Sequence, residues 1–205
     1  RHPDPERLYT RIIVAALWIA AIPVVGKYII IAITGILVVT ISTNLLIWAA
    51  FFACMIIFVF PLFLLGTVTP SLVKFTTRNL EDNGKVVGTL GACNTVGSII
   101  GTFLPTFVTI PAVGTAVTFL IFAGTLLILG ILYFIVEGSR KKITAFSVLF
   151  FILCGFLGNS DSFAFWEKDL TYEGESVYNY LQVRDTEQST VLSTNVLFGV
   201  QSIYM

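Results

Sequence analysis

Residues 86–136 read VVGTLGACNTVGSIIGTFLPTFVTIPAVGTAVTFLIFAGTLLILGILYFIV, a stretch without one charged side chain. A run of about 18 or more apolar residues is long enough to cross a bilayer as a helix, and this one suffices for two. Pro111 marks the division, with spans expected over 86–110 and 112–136. The pattern extends outward: residues 12–73 and 143–160 are two further stretches, and the three together hold a single charge, Lys27. Across all 205 residues only 12% are charged and 56% are hydrophobic, with 18 Phe. Soluble domains carry about 25% charged residues, so the composition reads as a polytopic membrane protein embedded in a lipid bilayer. The 12 basic and 12 acidic residues cancel, and no bulk field favours nucleic acid.

The first apolar run, Ile12 to Gly26, is short of the roughly 20 residues a span needs. Snorkelling by Arg11 and Lys27 at its ends would extend it. The polar cluster Thr40, Ser42, Thr43 and Asn44 breaks the next stretch. Leu45 to Gly66 then makes a span with Pro61 near its end, and residues 28–41 are a short span or a buried segment. Ile143 to Gly158 is marginal on length. The expectation is about four to six membrane segments.

Lys and Arg in short loops mark the cytoplasmic side. The N-terminal segment, the 74–85 loop and the 140–142 cluster are all basic, so all three are expected there. An even number of crossings must separate Arg11 from Lys74; two is the favoured number, with 28–41 not crossing. Two more lie between 86 and 136. If 143–158 crosses, the residues after 160 lie outside; if it re-enters, they are cytoplasmic.

Small residues recur along the third span: Gly84, Gly88, Gly91, Ala92, Gly97, Ser98 and Gly101, with Gly97 and Gly101 forming a GxxxG. Such residues let helix backbones approach closely, so helix–helix packing through Gly97 and Gly101 is expected, in a transporter-like bundle or as ordinary intramembrane contact. Asn94 on the same helix reads as an interhelical hydrogen-bonding group. No Asp, Glu or His falls within a span, which counts against a proton-coupled carrier built from these helices alone. Cys54, Cys93 and Cys154 lie far apart in apolar sequence, and His2 is the only histidine, so no metal site is expected. No Walker loop, HExxH or nucleophile elbow occurs.

After residue 160 the character changes. Asp161 to Glu175 is polar and acidic, and reads as a solvated linker with Trp166 suited to the membrane interface. Val177, Tyr178, Tyr180, Leu181 and Val183 form one strand pattern and Val191, Leu192, Val196, Leu197 and Phe198 another, around a turn at Asp185 to Ser189. A lone hairpin is marginal in water, so this one is expected to open a soluble domain. The chain begins at Arg1 and stops at Met205 within strand-like sequence, which reads as a piece of a longer protein.

Two stretches together carry a family resemblance. Residues 66–115, with GTVTPSLVKF and GKVVGTLGACNTVGSIIGTFLPTFVTIPAVGT, resemble the membrane half of bacterial proteins in which a major-facilitator-like helical domain is fused to a spermidine synthase domain. ESVYNYLQVRD followed by VLSTNVLFGVQSIYM is similar to the N-terminal β layer of polyamine aminopropyltransferases, where a Ser-x-Tyr strand precedes one ending in Gly-x-Gln. The resemblance implies a mainly α fold: a transmembrane helical domain over 1–160, a linker over 161–174, and over 175–205 a β-hairpin opening a truncated α/β Rossmann-like domain. It implies a multi-pass protein of the bacterial inner membrane that transfers an aminopropyl group from decarboxylated S-adenosylmethionine to putrescine. Gln201 matches the family's Gln at the edge of the nucleoside site.

The sequence departs from the family at two places. Tyr178–Asn179 stands where the family often has Tyr-Gln, and Ser193–Thr194–Asn195 lacks the Asp of a Leu-Asp-Gly run. The family's Gly-rich loop, ribose-binding acid and catalytic Asp would lie beyond residue 205, so no catalytic residue is named and this fragment is expected to be inactive alone. Both metabolites are cytosolic, which favours a cytoplasmic hairpin and hence a 143–158 segment that does not span, since 16 residues rise only about 24 Å as a helix. The competing readings are a transporter-like or scaffolding membrane protein with a non-catalytic appendage, and a membrane-bound methyltransferase-like enzyme.

Overall fold

A computed structural model gives the fold and describes residues 5–38, 43–77, 83–137, 141–160, 169–176, 178–186, 188–194 and 200–204. The helices are α1 (Pro5–Val38), α2 (Thr43–Gly66), α3 (Val68–Thr76), α4 (Asn83–Leu104), α5 (Ile110–Glu137) and α6 (Lys141–Ser160), with a π-helical turn, Pro105–Thr109, between α4 and α5. Four strands come after them: β1 (Leu170–Glu175), β2 (Tyr180–Thr186), β3 (Ser189–Thr194) and β4 (Val200–Tyr204). Among the described residues, four helical stretches are long and apolar enough to cross a membrane by length and composition: Pro5–Ile33, Ile47–Thr76, Asn83–Glu137 and Lys141–Gly158.

α1 starts on Pro5, whose fixed φ suits a first helical position, with Glu6 in the first turn opposite the positive end of the helix dipole. It then runs for 34 residues, about 51 Å. This corrects the expectation for residues 28–41. Residues 28–38 carry no strong breaker and extend α1; of the expected polar break, Thr43 and Asn44 open α2, and Thr40 and Ser42 lie outside the described residues. Lys27 is therefore inside a helix, not at its end. It is 6% exposed, and its Nζ lies 5.4 Å from the Tyr28 ring centroid, a cation–π contact in place of the expected snorkel.

Two further boundaries differ. The chain passes through Pro111 without a stop and breaks at Gly114, where φ is 80° and ψ 168°. Proline fixes φ near its helical value, so it need not end a helix near its start; only glycine enters the Gly114 region readily. α6 is 20 residues, about 30 Å, because Lys141 and Lys142 open it and Asn159 and Ser160 close it. Its length thus matches a hydrocarbon core, against the preference for a non-spanning 143–158 segment.

α1 is the hub of the bundle. Against α5 it packs antiparallel: Tyr9 stacks on Tyr133 at 4.0 Å, Ile13 meets Gly130, and Ala20 meets Ala123. Trp18 Nε1 donates to the Ile57 carbonyl of α2 at 2.9 Å, and Arg11 Nη1 donates to Oγ1 of Thr67, between α2 and α3. α6 runs parallel to α1, with Cys154 beside Ala20 and Gly158 beside Pro23. The closest backbone approaches use glycines of α5 and α6. A Cβ on Gly130 would stand 2.5 Å from Ile13 Cγ1, one on Gly124 3.1 Å from Phe151, and one on Gly158 3.0 Å from Pro23.

The packing expected through Gly97 and Gly101 is not formed among the described residues. Nothing lies within 4 Å of a Cβ at either position, and no described residue of α4 is buried. Asn94 is exposed on the same helix. Small residues permit close approach without supplying a partner, and among the described residues no helix packs along this face of α4.

The strands form one antiparallel meander in the order β1-β2-β3-β4. The expected turn is present, with Asp185 paired to Thr190 and Thr186 to Ser189. The sheet is larger than the expected hairpin. β1 arises from the acidic stretch read as linker, and β4 continues beyond β3. Val196, Leu197 and Phe198 of the second strand pattern lie outside the described residues.

Candidate functional site

Strand alternation builds a polar layer on one face of the sheet. Tyr180, Gln182 and Arg184 are two apart on β2 and so share a face. Register adds Glu173 of β1 opposite Gln182, and Ser193 of β3 opposite it on the other side. Gln182 is 1% exposed and Ser193 is also buried. Buried polar groups need partners. The Gln182 Nε2 donates to the Tyr180 hydroxyl at 3.4 Å, and Arg184 Nη2 donates to Ser193 Oγ at 3.3 Å. Neither the strand pattern nor the resemblance gave Gln182 and Arg184 a part. The available signal was the Tyr-x-Gln-x-Arg alternation itself.

Gln201 belongs to another environment. It lies on β4 between the pairs Leu192–Ser202 and Ser193–Val200, where the register shifts by one residue. Such a bulge re-aims the side chain at that point. Gln201 is exposed, and its Nε2 donates to Thr194 Oγ1 at 3.1 Å. Thr194 neighbours Ser193 and points to the opposite face. The structure therefore joins Gln201 to Thr194 and does not bring it to Gln182.

Tyr178 and Asn179 form the turn between β1 and β2. Ser176 organises it: its Oγ accepts from the Asn179 N–H at 3.0 Å and the Tyr178 N–H at 3.3 Å, and its own N–H donates to the Asn179 carbonyl at 2.9 Å. The Tyr178 side chain is 90% exposed at the tip. The Ser of the Ser-x-Tyr pattern thus has a local folding role.

Among the described residues, Glu175 ties the sheet to the bundle. Glu175, the last residue of β1, accepts the Thr115 N–H at 2.7 Å and also the Thr115 hydroxyl. Thr115 comes directly after the Gly114 break, so its N–H is one that a helix start leaves without an intrahelical acceptor. A carboxylate there satisfies the donor and meets the positive end of the helix dipole. Beneath it, the buried Thr118 donates to the Gly114 carbonyl at 2.7 Å and lies 3.1 Å from Thr109 Oγ1. Glycine permits the break, and Glu175 and Thr118 hold it.

Among the described residues no group of His, Cys, Asp and Glu side chains is placed to hold a metal. An open groove between α5 and α6 is lined by Phe134, Ile135, Val148, Leu149 and Ile152 with Lys141 at its rim. Its walls are apolar, which suits lipid or another helix and gives a polycation no partners.

No family model and no solved structure matches the chain. Over 75 residues the chain is 47% identical to a protein of Bifidobacterium longum (strain NCC 2705) named "Probable polyamine aminopropyl transferase". The aligned part is 37% of this chain and 17% of that relative. The chain is thus similar, over about a third of its length, to a protein named for aminopropyl transfer.

Proposed function

We propose that this chain is part of a membrane-anchored, spermidine synthase-like enzyme of the bacterial inner membrane, in which a major-facilitator-like helical domain carries an aminopropyltransferase domain. The observation that carries this reading is the 47% identity over 75 residues to the Bifidobacterium longum protein. The helices support the anchoring part. Only 17–28% of residues in their most apolar windows are buried, and side chains such as Ile47, Phe63, Val136 and Phe156 are exposed. Helices that are apolar all round need an apolar solvent, and a bilayer supplies one.

In the whole protein the reaction is transfer of an aminopropyl group from decarboxylated S-adenosylmethionine to putrescine, with a base taking the proton of the attacking amine. This chain contributes the entry strands of the soluble domain. The exposed amide of Gln201 fits a place at the nucleoside, since an amide both donates to and accepts from ribose hydroxyls. The Glu175–Thr115 contact fixes the sheet against the bundle, so the anchored domain is oriented as well as tethered.

The test is an assay of the full-length protein in membranes, with putrescine and decarboxylated S-adenosylmethionine supplied and products separated by mass. Spermidine that requires both substrates is the expected result. No product would overturn the enzyme reading in favour of a transporter-like or scaffolding protein with a non-catalytic appendage. A methylated product formed from S-adenosylmethionine would favour the methyltransferase-like reading.

A further inference from the structure

The bundle sorts the chain's positive charge to one end and its sheet to the other. Tyr9 against Tyr133 places the start of α1 beside the end of α5. The Arg11–Thr67 hydrogen bond brings the end of α2 and the start of α3 to the same level. Thr77, after α3, contacts Asn83, the first residue of α4. α6 runs parallel to α1, so Lys141 and Lys142 open it at this end too. Arg7 and Arg11 lie in α1, Lys74 and Lys85 in α3 and α4, and Lys141 and Lys142 open α6; Arg1, Arg78 and Arg140 adjoin them in sequence, making nine of the chain's 12 Lys and Arg.

The opposite end holds the Gly114 break, the end of α6 at Gly158 beside Pro23, and the sheet, fixed by Glu175 on Thr115. The other three Lys and Arg belong to this end: Lys27 inside α1 beyond Pro23, Lys168 after α6 in sequence, and Arg184 in the sheet. Lys and Arg in short loops remain on the cytoplasmic side during insertion. An asymmetry this large sets the orientation of a bundle whose helices α1, α2, α4, α5 and α6 each run from one end to the other.

We propose that the β-sheet, with the domain it opens, lies on the side of the membrane away from the cytoplasm, while the basic end of the bundle faces the cytoplasm. This rests on the reading of the apolar helices as membrane spans and is independent of the aminopropyl chemistry. It reverses the cytoplasmic placement expected from the origin of the family's metabolites. That expectation required α6 not to cross, and α6 has the length and the direction to cross. The proposed aminopropyl transfer then requires both substrates to reach the far side of the membrane.

The test is thiol accessibility in the full-length protein in intact cells, in a background where Cys54 and Cys93 are Ala. Tyr178→Cys places a thiol at the exposed tip of the sheet, and Lys142→Cys places one at the basic end. With a membrane-impermeant maleimide, the cysteine at 178 is expected to react fully in intact cells and the one at 142 only after lysis, where reaction of both verifies that each thiol is reactive. The reverse pattern, or the same labelling of both positions in intact cells, would overturn the inference. An alkaline carbonate wash separates the two levels of failure. Release of the protein from membranes would overturn the spanning reading itself, whereas reversed labelling of a carbonate-resistant protein overturns the side alone.

Discussion

The carboxylate of Glu175 accepts the backbone N–H of Thr115, 60 residues earlier in the chain, at 2.7 Å. It joins the last residue of a strand to the first turn of an apolar helix, and it is charge-assisted, since a carboxylate meets the positive end of a helix dipole. Glu175→Ala is expected to cost about 0.5–2 kcal/mol, the range for a lost N-terminal cap. Limited proteolysis in detergent checks it: cleavage in the sheet should quicken in Glu175→Ala, with Glu175→Gln intermediate. Identical digestion of all three forms would show that the contact does not hold the sheet.

Gly130 is where α5 comes closest to α1. An added methyl would stand 2.5 Å from Ile13 Cγ1, and Ile13 is buried, so it has nowhere to move. Overpacking of this kind costs about 1–3 kcal/mol. Gly130→Leu is therefore expected to lower the unfolding temperature in detergent, and Ile13→Ala should partly rescue Gly130→Ala. Gly97→Leu and Gly101→Leu, with nothing within 4 Å, should leave the helix packing of this chain unchanged. An equal loss at Gly97 and Gly130 would contradict the packing described here.

Gly114 has φ 80° and ψ 168°, a region nearly closed to residues with a Cβ. Gly114→Ala is expected to cost about 1–3 kcal/mol and to loosen the Glu175 contact beside it. Gly155→Ala, on α6 with open space around it, is the control. Thermal unfolding of the two variants against the parent decides; equal stability would mean that the break can form without glycine.

Gln201 is exposed beside Thr194 on β4. If it lies at a nucleoside, Gln201→Ala in the full-length protein removes about one hydrogen bond, worth roughly 0.5–1.5 kcal/mol, and calorimetry should read a several-fold weaker affinity for decarboxylated S-adenosylmethionine. Unchanged affinity would remove Gln201 from the site.

Much of this architecture is legible in the sequence because charge is so sparse. The start of α2 at Thr43, the basic ends of the helices and the turn between Asp185 and Ser189 all follow from where polar residues interrupt apolar ones. Other features depend on three-dimensional partners. Lys27 resembles a helix end in sequence because a charge ordinarily stops an apolar run, yet α1 continues through it, with Lys27 6% exposed and its Nζ over the Tyr28 ring. Gly97 and Gly101 fit a spacing rule, but close approach is made by Gly124, Gly130 and Gly158, which match Phe151, Ile13 and Pro23 on other helices. In the sheet, β1 is hidden in an acidic stretch because Glu173 and Glu175 face partners on β2 and α5, which local composition does not reveal.

A bilayer covering the exposed apolar faces of the helices is the central requirement of the proposed membrane-anchored bundle. Trp48 of α2 offers a direct reading, since its ring is more than half exposed among Phe51 and Phe52. In full-length protein retaining no other tryptophan and reconstituted into vesicles, its fluorescence should be quenched by brominated lipid acyl chains and spared by aqueous iodide. Quenching by iodide without quenching by brominated chains would contradict the spanning bundle, and with it the membrane-anchored enzyme proposed here.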